Sequence, residues 1–330
     1  MRLLDCTLRD GANVIGKGFD AELTISMIKG LIDANITLIE MGNCLGLGAY
    51  EANNSISPLN DAEYLKLVQP FLSQAEIGMF MGYKNSSEKN IATAKDAGLH
   101  FLRIGANAGD GTFAVDAVKR VKSAGLTCRY SMMKGYILSA EELANEAQLL
   151  EAAGLDEITI MDSAGTMYPE QVAEYVSTMV KAVSIPVGFH GHNNLSLSMA
   201  NALAAEAAGA EVLDCGLLGM ARSAGNLSTE VAVAVFQRFG KLKDLDMYSL
   251  LHYLDGELIP LMSAYNYRPS IQPIDLVYGL AGCHSSFASL FAFIAAEMNV
   301  DLYRLIVEVS KIDQKSPSET LIRQTAAKLK

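Results

Sequence analysis

The chain has 330 residues, half of them apolar, and a net charge of -11. That is enough apolar material for a large core, and it lacks the clustered Lys and Arg that a nucleic-acid backbone or an anionic membrane surface requires. No apolar run approaches the roughly 20 residues needed to span a bilayer, and the opening MRLLDCTLRD carries charge where a secretory leader would be apolar, so the expectation is a cytoplasmic protein with neither a nucleic-acid nor a membrane partner.

In chain order, short β-branched or apolar runs alternate with stretches of helical period. Eight strands are predicted: LLDCTL (3–8), TLIEMG (37–42), AEIGMFMG (75–82), FLRIGAN (101–107), TCRYSMM (127–133), EITIMDS (157–163), VGFHGH (187–192) and VLDCGLL (212–218). Helices such as SSEKNIATAKDAG and SAEELANEAQLLEAAG lie between them and end at glycines suited to a left-handed cap. Eight such units suit a (β/α)8 TIM barrel of the α/β class better than an open doubly wound sheet. The alternation stops after STEVAVAVFQRFG, so the division expected is a catalytic barrel over 1–244 and a helical appendage over 245–330. The insert NCLGLGAYEANNSISPLND (43–61) reads either as a lid or as surface variation. Five cysteines without C-x-x-C spacing, Cys6, Cys44, Cys128, Cys215 and Cys283, speak against a disulfide framework and read as reduced and mostly buried.

In a TIM barrel the chemistry sits at the C-terminal ends of the strands. Here those ends carry Thr7 to Gly11, then Asp162 and Ser163, then His190-Gly191-His192-Asn193-Asn194. Alternate residues of a strand point the same way, so an H-x-H pair can aim two imidazoles at one ion; the alternative is two hydrogen-bonded structural histidines. Strands one and seven are separated only by strand eight, which brings Asp10 near the pair, and two imidazoles with one carboxylate leave coordination positions open for substrate. Arg9 reads either as a salt bridge to a rim carboxylate or as a fixed cation for an enolate oxygen. Lys84 and Lys134, after strands three and five, read as solvated lysines or as cations for a substrate carboxylate or phosphate. Strands six to eight carry no lysine, which disfavours Schiff-base chemistry.

The ordered segments DCTLRDG, IEMG, MDSAG, HGHNNLSLSMANALAA and GLLGMARSAGNLSTE resemble the metal-dependent lyase and synthase superfamily of TIM barrels. That superfamily includes hydroxymethylglutaryl-CoA lyase, isopropylmalate synthase and, most similar here, the 4-hydroxy-2-oxovalerate aldolases. The similarity continues through LAGCHSSF and LIVEVSKI. It implies a divalent ion, Mn2+ first among Mn2+, Mg2+, Co2+ and Zn2+, on Asp10, His190 and His192, with Asn226 in or beside the metal shell. A 2-keto acid would chelate that ion, Arg9 would stabilise the pyruvate enolate, and an aldehyde would be the second substrate, with Asp162, Ser163 and Lys134 as candidate substrate contacts. It also implies helices that dock an aldehyde dehydrogenase, while the apolar helix of SFASLFAFIAAEM could instead pack within the chain or at a homo-oligomer seam. Two positions depart from the aldolase pattern. Asn13 stands where those aldolases carry a catalytic histidine, and His284 where they carry a tyrosine, so His284 is expected to take the acid/base role. Asn13 is also similar to the glutamine of the Claisen-condensing synthases, which keeps an acyl-CoA/2-keto acid synthase open, and a catalytically silent keto-acid-binding barrel is the third reading.

Overall fold

The computed structural model describes residues 1–53, 58–267 and 273–330. Eight parallel strands close into a barrel in sequence order: β1 (Arg2–Asp5), β2 (Leu38–Met41), β3 (Glu76–Gly82), β4 (Phe101–Asn107), β5 (Thr127–Met133), β6 (Glu157–Asp162), β7 (Val187–Gly191) and β8 (Val212–Cys215). β1 closes on β8 with Asp5 opposite Cys215, and His190 stands beside Met161 of β6. The predicted β1, β7 and β8 are longer than the observed strands, because the chain turns off the ladder where the polar rim begins. Residues 6–8 leave β1 in a turn whose amides converge on the Cys6 carbonyl, at 3.1 Å from Arg9 and 2.8 Å from Asp10.

The helices form for reasons written in their ends. Ala140–Ala152 starts with a reciprocal capping box between Ser139 and Glu142, and Ala21–Asp33 starts with Asp20 accepting the Leu23 amide. Their apolar stripes lock into the barrel's outer layer through residues such as Met27, Leu31, Leu143 and Ala147. After the eighth unit, Met247–Tyr253, Leu254–Leu258 and Ile259–Ser263 still bury Leu250, Leu254, Leu258 and Met262 against the barrel cluster, whereas Tyr278, Phe291, Ile294, Leu305, Ile306, Val309 and Ile322 form a second core. Within it, Ala288–Met298 packs inside the chain through Phe291 and Ile294.

The insert after β2 is partly folded down. The Leu47 amide donates to the Phe80 carbonyl at 2.8 Å, Asp61 accepts from Asn43 and from the Gly48 amide, and the Tyr50 hydroxyl donates to the Lys17 carbonyl at 2.9 Å. Its middle, residues 54–57, lies outside the described residues. All five cysteines are free and buried, and among the described residues no helix is long and apolar enough to cross a membrane.

Asp5 sits fully buried at the end of β1, accepting from the Thr7 amide at 2.9 Å and the Thr229 hydroxyl at 2.7 Å. Burial pushes its carboxyl up to about 6 despite those bonds. A carboxyl whose folded value is raised contributes stability below its unfolded value of 3.8 and loses it as pH rises through about 6. Two units correspond to about 3 kcal/mol. Asp5→Asn, which can keep both hydrogen bonds, is therefore expected to raise the melting temperature at pH 8 and to leave it nearly unchanged at pH 4; an equal shift at both values would show that desolvation of the charge is not what Asp5 costs.

Candidate metal centre and active site

The rim of β1 and β7 brings the two imidazoles and the carboxylate together. His190 Nε2 lies 3.6 Å and His192 Nε2 3.9 Å from Asp10 Oδ2, and ligand atoms of the three residues lie within 4.8 Å of one another. All three are buried. Burial alone would raise the Asp10 pKa, but Arg9 first, then His192 and His190 and the Asn226 hydrogen bond, outweigh it and hold the carboxyl far below the carboxylate range. Burial pushes His192 down to about 4, so its ring is neutral and its lone pair available near pH 7.

A layer of buried charge holds these ligands in place. His190 Nδ1 faces Asp214 Oδ2 at 2.9 Å, which fixes the tautomer that aims an Nε2 lone pair at the centre. Asp214 in turn pairs with Arg103 at 2.7 Å, Arg103 with Glu40 at 3.4 Å, and Glu40 with Arg9 Nε at 2.7 Å. Arg9 Nη1 closes the chain on Asp10 Oδ1 at 3.0 Å, while its guanidinium lies 4.9 Å from the centroid of the Phe80 ring. Asn226 is delivered from the loop after β8, where its backbone pairs antiparallel with His192 and its Nδ2 donates to Asp10 Oδ2 at 2.8 Å. That return needs Gly225: at φ +84° an added Cβ would lie 2.1 Å from the Gly219 carbonyl oxygen.

The donor set fits a divalent ion. One carboxylate and two neutral imidazoles are borderline ligands that suit a first-row metal and leave positions open. Two buried polar atoms beside them, Arg9 Nη2 and Asn226 Oδ1, have no hydrogen-bond partner among the described residues. Buried polar groups are rarely left so unless a ligand or ion completes them.

The remaining predicted residues fall into place less uniformly. Asn13, on the turn Gly11–Val14, donates from Nδ2 to the Asp10 carbonyl at 2.9 Å and to Asp10 Oδ1 at 3.3 Å. Asp162 and Ser163, expected as substrate contacts, also hold the loops around the rim. The Asp162 carboxylate accepts the Thr166 and Met167 amides at 3.0 and 2.9 Å, its carbonyl receives the His192 amide at 3.2 Å, and Ser163 Oγ accepts the Lys134 amide at 2.9 Å. Asp162 thus orients the H-x-H strand end, and burial raises its carboxyl to about 6. Lys134 is not a solvated lysine: Nζ donates to the Lys315 carbonyl and lies 5.4 Å from the Phe287 ring centroid, and burial followed by Lys315 lowers its pKa. Lys84 is exposed, with Nζ 5.7 Å from the Tyr83 ring. His284 comes from the appendage and caps the turn Ser285–Phe287, with Nδ1 2.8 Å from Ser286 Oγ. Burial first, then His192, Lys134 and Arg222, push it down to about 3. The supporting charges Glu40, Arg103 and Asp214, and Arg222 on the β8 loop, were not singled out from the sequence; a Glu, an Arg and an Asp in the middle of otherwise apolar strands were the available signal.

Fold and cluster together define a TIM-barrel enzyme with a metal centre at the C-terminal rim. The chain belongs to the HMGL-like family, whose model matches residues 1–255. Along its whole length it is similar to proteins named 4-hydroxy-2-oxovalerate aldolase. That of Geobacillus genomosp. 3 is 31% identical over 330 residues, covering 100% of this chain and 97% of that protein. That of Pectobacterium atrosepticum is 31% identical over 329 residues, covering 99% and 95%. Among solved structures, the carboxyl transferase domain of Rhizobium etli pyruvate carboxylase, with pyruvate and biocytin, shares the fold at a TM-score of 0.80 and 15% identity, over 100% of this chain and 61% of that one.

Proposed function

We infer that this chain is a divalent-metal-dependent aldolase that cleaves or forms a 4-hydroxy-2-keto acid, with pyruvate as the keto product, an aldehyde as the other, and Mn2+ as the ion. The observation that carries this reading is the convergence of Asp10, His190 and His192 on one point, beside the spare Nη2 of Arg9, in a chain similar over its full length to 4-hydroxy-2-oxovalerate aldolases. The ion would be held by the Asp10 carboxylate and the two Nε2 atoms, and would supply Lewis-acid polarisation of the substrate's keto group.

The protein's own groups supply the rest. Arg9, locked between Glu40 and Asp10, offers Nη2 to the oxygen on which negative charge grows as the carbon–carbon bond breaks, and its position costs no reorganisation at that moment. Asn13 cannot accept a proton near neutral pH; it braces Asp10 through Oδ1 and the main-chain carbonyl. We assign the transfer of the 4-hydroxyl proton to His284. Nδ1 accepts the Ser286 amide at 3.2 Å and faces Ser286 Oγ, so it carries the lone pair, the lowered pKa keeps the ring neutral throughout the neutral range, and Ser286 Oγ is placed to pass a proton to Nδ1. His284→Ala is expected to lower the neutral-pH plateau of kcat/KM by about a hundredfold or more, and Ser286→Ala to lower it less. An unchanged plateau in His284→Ala would transfer the role to water. Docking of an aldehyde dehydrogenase or of a second copy belongs to the same reading, and the appendage offers Phe293 and Ile312, 60% and 62% exposed, for it.

The second reading, Claisen condensation with an acyl-CoA, draws on the amide at Asn13. The two are separated by product: the Mn2+-supplemented protein is expected to release pyruvate from 4-hydroxy-2-oxovalerate, followed with lactate dehydrogenase, and to release no free thiol from acyl-CoA with a 2-keto acid. Thiol release without pyruvate would reverse the assignment.

A further inference from the structure

On the side of Asn13 and Asn226 away from Asp10, the loop after β8 bounds an open cavity walled also by Asn193, Tyr265 and Tyr267. Both asparagines reach the Asp10 carboxylate, at 3.3 and 2.8 Å, so a molecule in this cavity lies one side chain away from the metal ligands. Among the described lining residues Arg222 is the single charged side chain; the others are amides, hydroxyls and small apolar groups. Arg222 is half-buried, and among the described residues no carboxylate lies within ion-pair distance of it, whereas Arg9, Arg103 and Arg129 are each paired. A guanidinium withdrawn from water without a counter-ion is costly unless a ligand completes it. The loop that presents it is strained as well: Leu218 and Ser223, both at φ 57°, hold left-handed backbone that side-chain-bearing residues seldom adopt.

We propose that Arg222 recognises an anionic group, a carboxylate or a phosphate, at the far end of the aldehyde partner, so that this aldolase joins pyruvate to an acidic aldehyde in preference to a plain alkyl aldehyde. The planar guanidinium fork matches either oxyanion, and a bidentate, charge-assisted pair there would set the acceptor's orientation as well as its affinity. The proposal rests on the aldolase reading above and specifies its second substrate.

The test measures aldol addition of pyruvate by the full-length, Mn2+-loaded chain to three acceptors: propanal, succinic semialdehyde and glyceraldehyde 3-phosphate. The wild type is expected to favour one acidic acceptor over propanal in kcat/KM by about tenfold or more, and which of the two gains tells carboxylate from phosphate. Arg222→Gln is expected to collapse that ratio through a higher KM for the acidic aldehyde, and Arg222→Lys to retain part of it. Without turnover, succinate or inorganic phosphate should raise the melting temperature of the metal-free wild type more than that of Arg222→Gln. Equal use of propanal and the acidic acceptors by the wild type would overturn the proposal while leaving the aldolase reading intact, as would an Arg222→Gln enzyme that keeps its ratio and instead loses affinity for pyruvate. Turnover of none of the acceptors would remove the aldolase reading, and this proposal with it.

Discussion

His190→Ala is expected to leave the purified protein without its divalent ion and without measurable turnover. On the reading proposed above the imidazole is one of three side-chain ligands, so its removal should cost more than the ~10–100-fold in metal affinity or activity typical of losing an outer partner. It also frees Asp214, which stays held by Arg103 at 2.7 Å, so the barrel should still fold and the loss should appear in metal content rather than in melting temperature. Asp214→Asn gives the graded counterpart: the imidazole remains but is no longer oriented by a carboxylate, and affinity should fall by the ~10–100-fold expected of such a partner. Elemental analysis beside thermal melts decides the matter. Full metal content in His190→Ala would move the site elsewhere.

The second large effect is expected at Arg9. Its Nε and Nη1 are spent on Glu40 and Asp10, which leaves Nη2 as the donor for developing charge. Lys cannot reproduce a fork that satisfies two carboxylates and still presents a third, fixed donor. Arg9→Lys is therefore expected to lower kcat by roughly a hundredfold to a thousandfold, comparable to removing one oxyanion donor, with little change in KM. If Arg9 served only the ion-pair layer, the variant would melt earlier and turn over nearly normally.

Much of this was legible in the sequence because it depends on local periodicity and strand-end position. The eight strands, their order, the helices between them and the helical C-terminal region follow from runs of period two and 3.6 and from glycine stops such as Gly154. Asp10, His190 and His192 could be assembled because barrel closure makes strands one and seven near neighbours whatever the side chains do. What escaped depends on non-local geometry. Strand six ends in Asp162 and Ser163, which look like rim chemistry, yet Asp162 also accepts the amides of the turn after it and Ser163 Oγ the Lys134 amide after β5, a competition between loop amides and substrate that no spacing reveals. Lys134 read as a solvated lysine or a cation for a substrate anion, and the Lys315 carbonyl that it meets comes from the segment between the last two helices. Glu40, Arg103 and Asp214 are charges where a core would not choose them, and their purpose appears only once barrel closure brings side chains of the non-adjacent strands β2, β4 and β8 into one ion-paired chain. Arg222 sits in a motif that drew attention to Asn226 instead, and that no carboxylate among the described residues pairs with it is a fact of three dimensions.

The most direct test of a metal-dependent aldolase centred on Asp10, His190 and His192 is pyruvate release from 4-hydroxy-2-oxovalerate by protein stripped with chelator and then titrated with Mn2+. Activity is expected to be absent after stripping and to return in proportion to bound ion, saturating at one ion per chain; undiminished pyruvate release from the metal-free protein would contradict it.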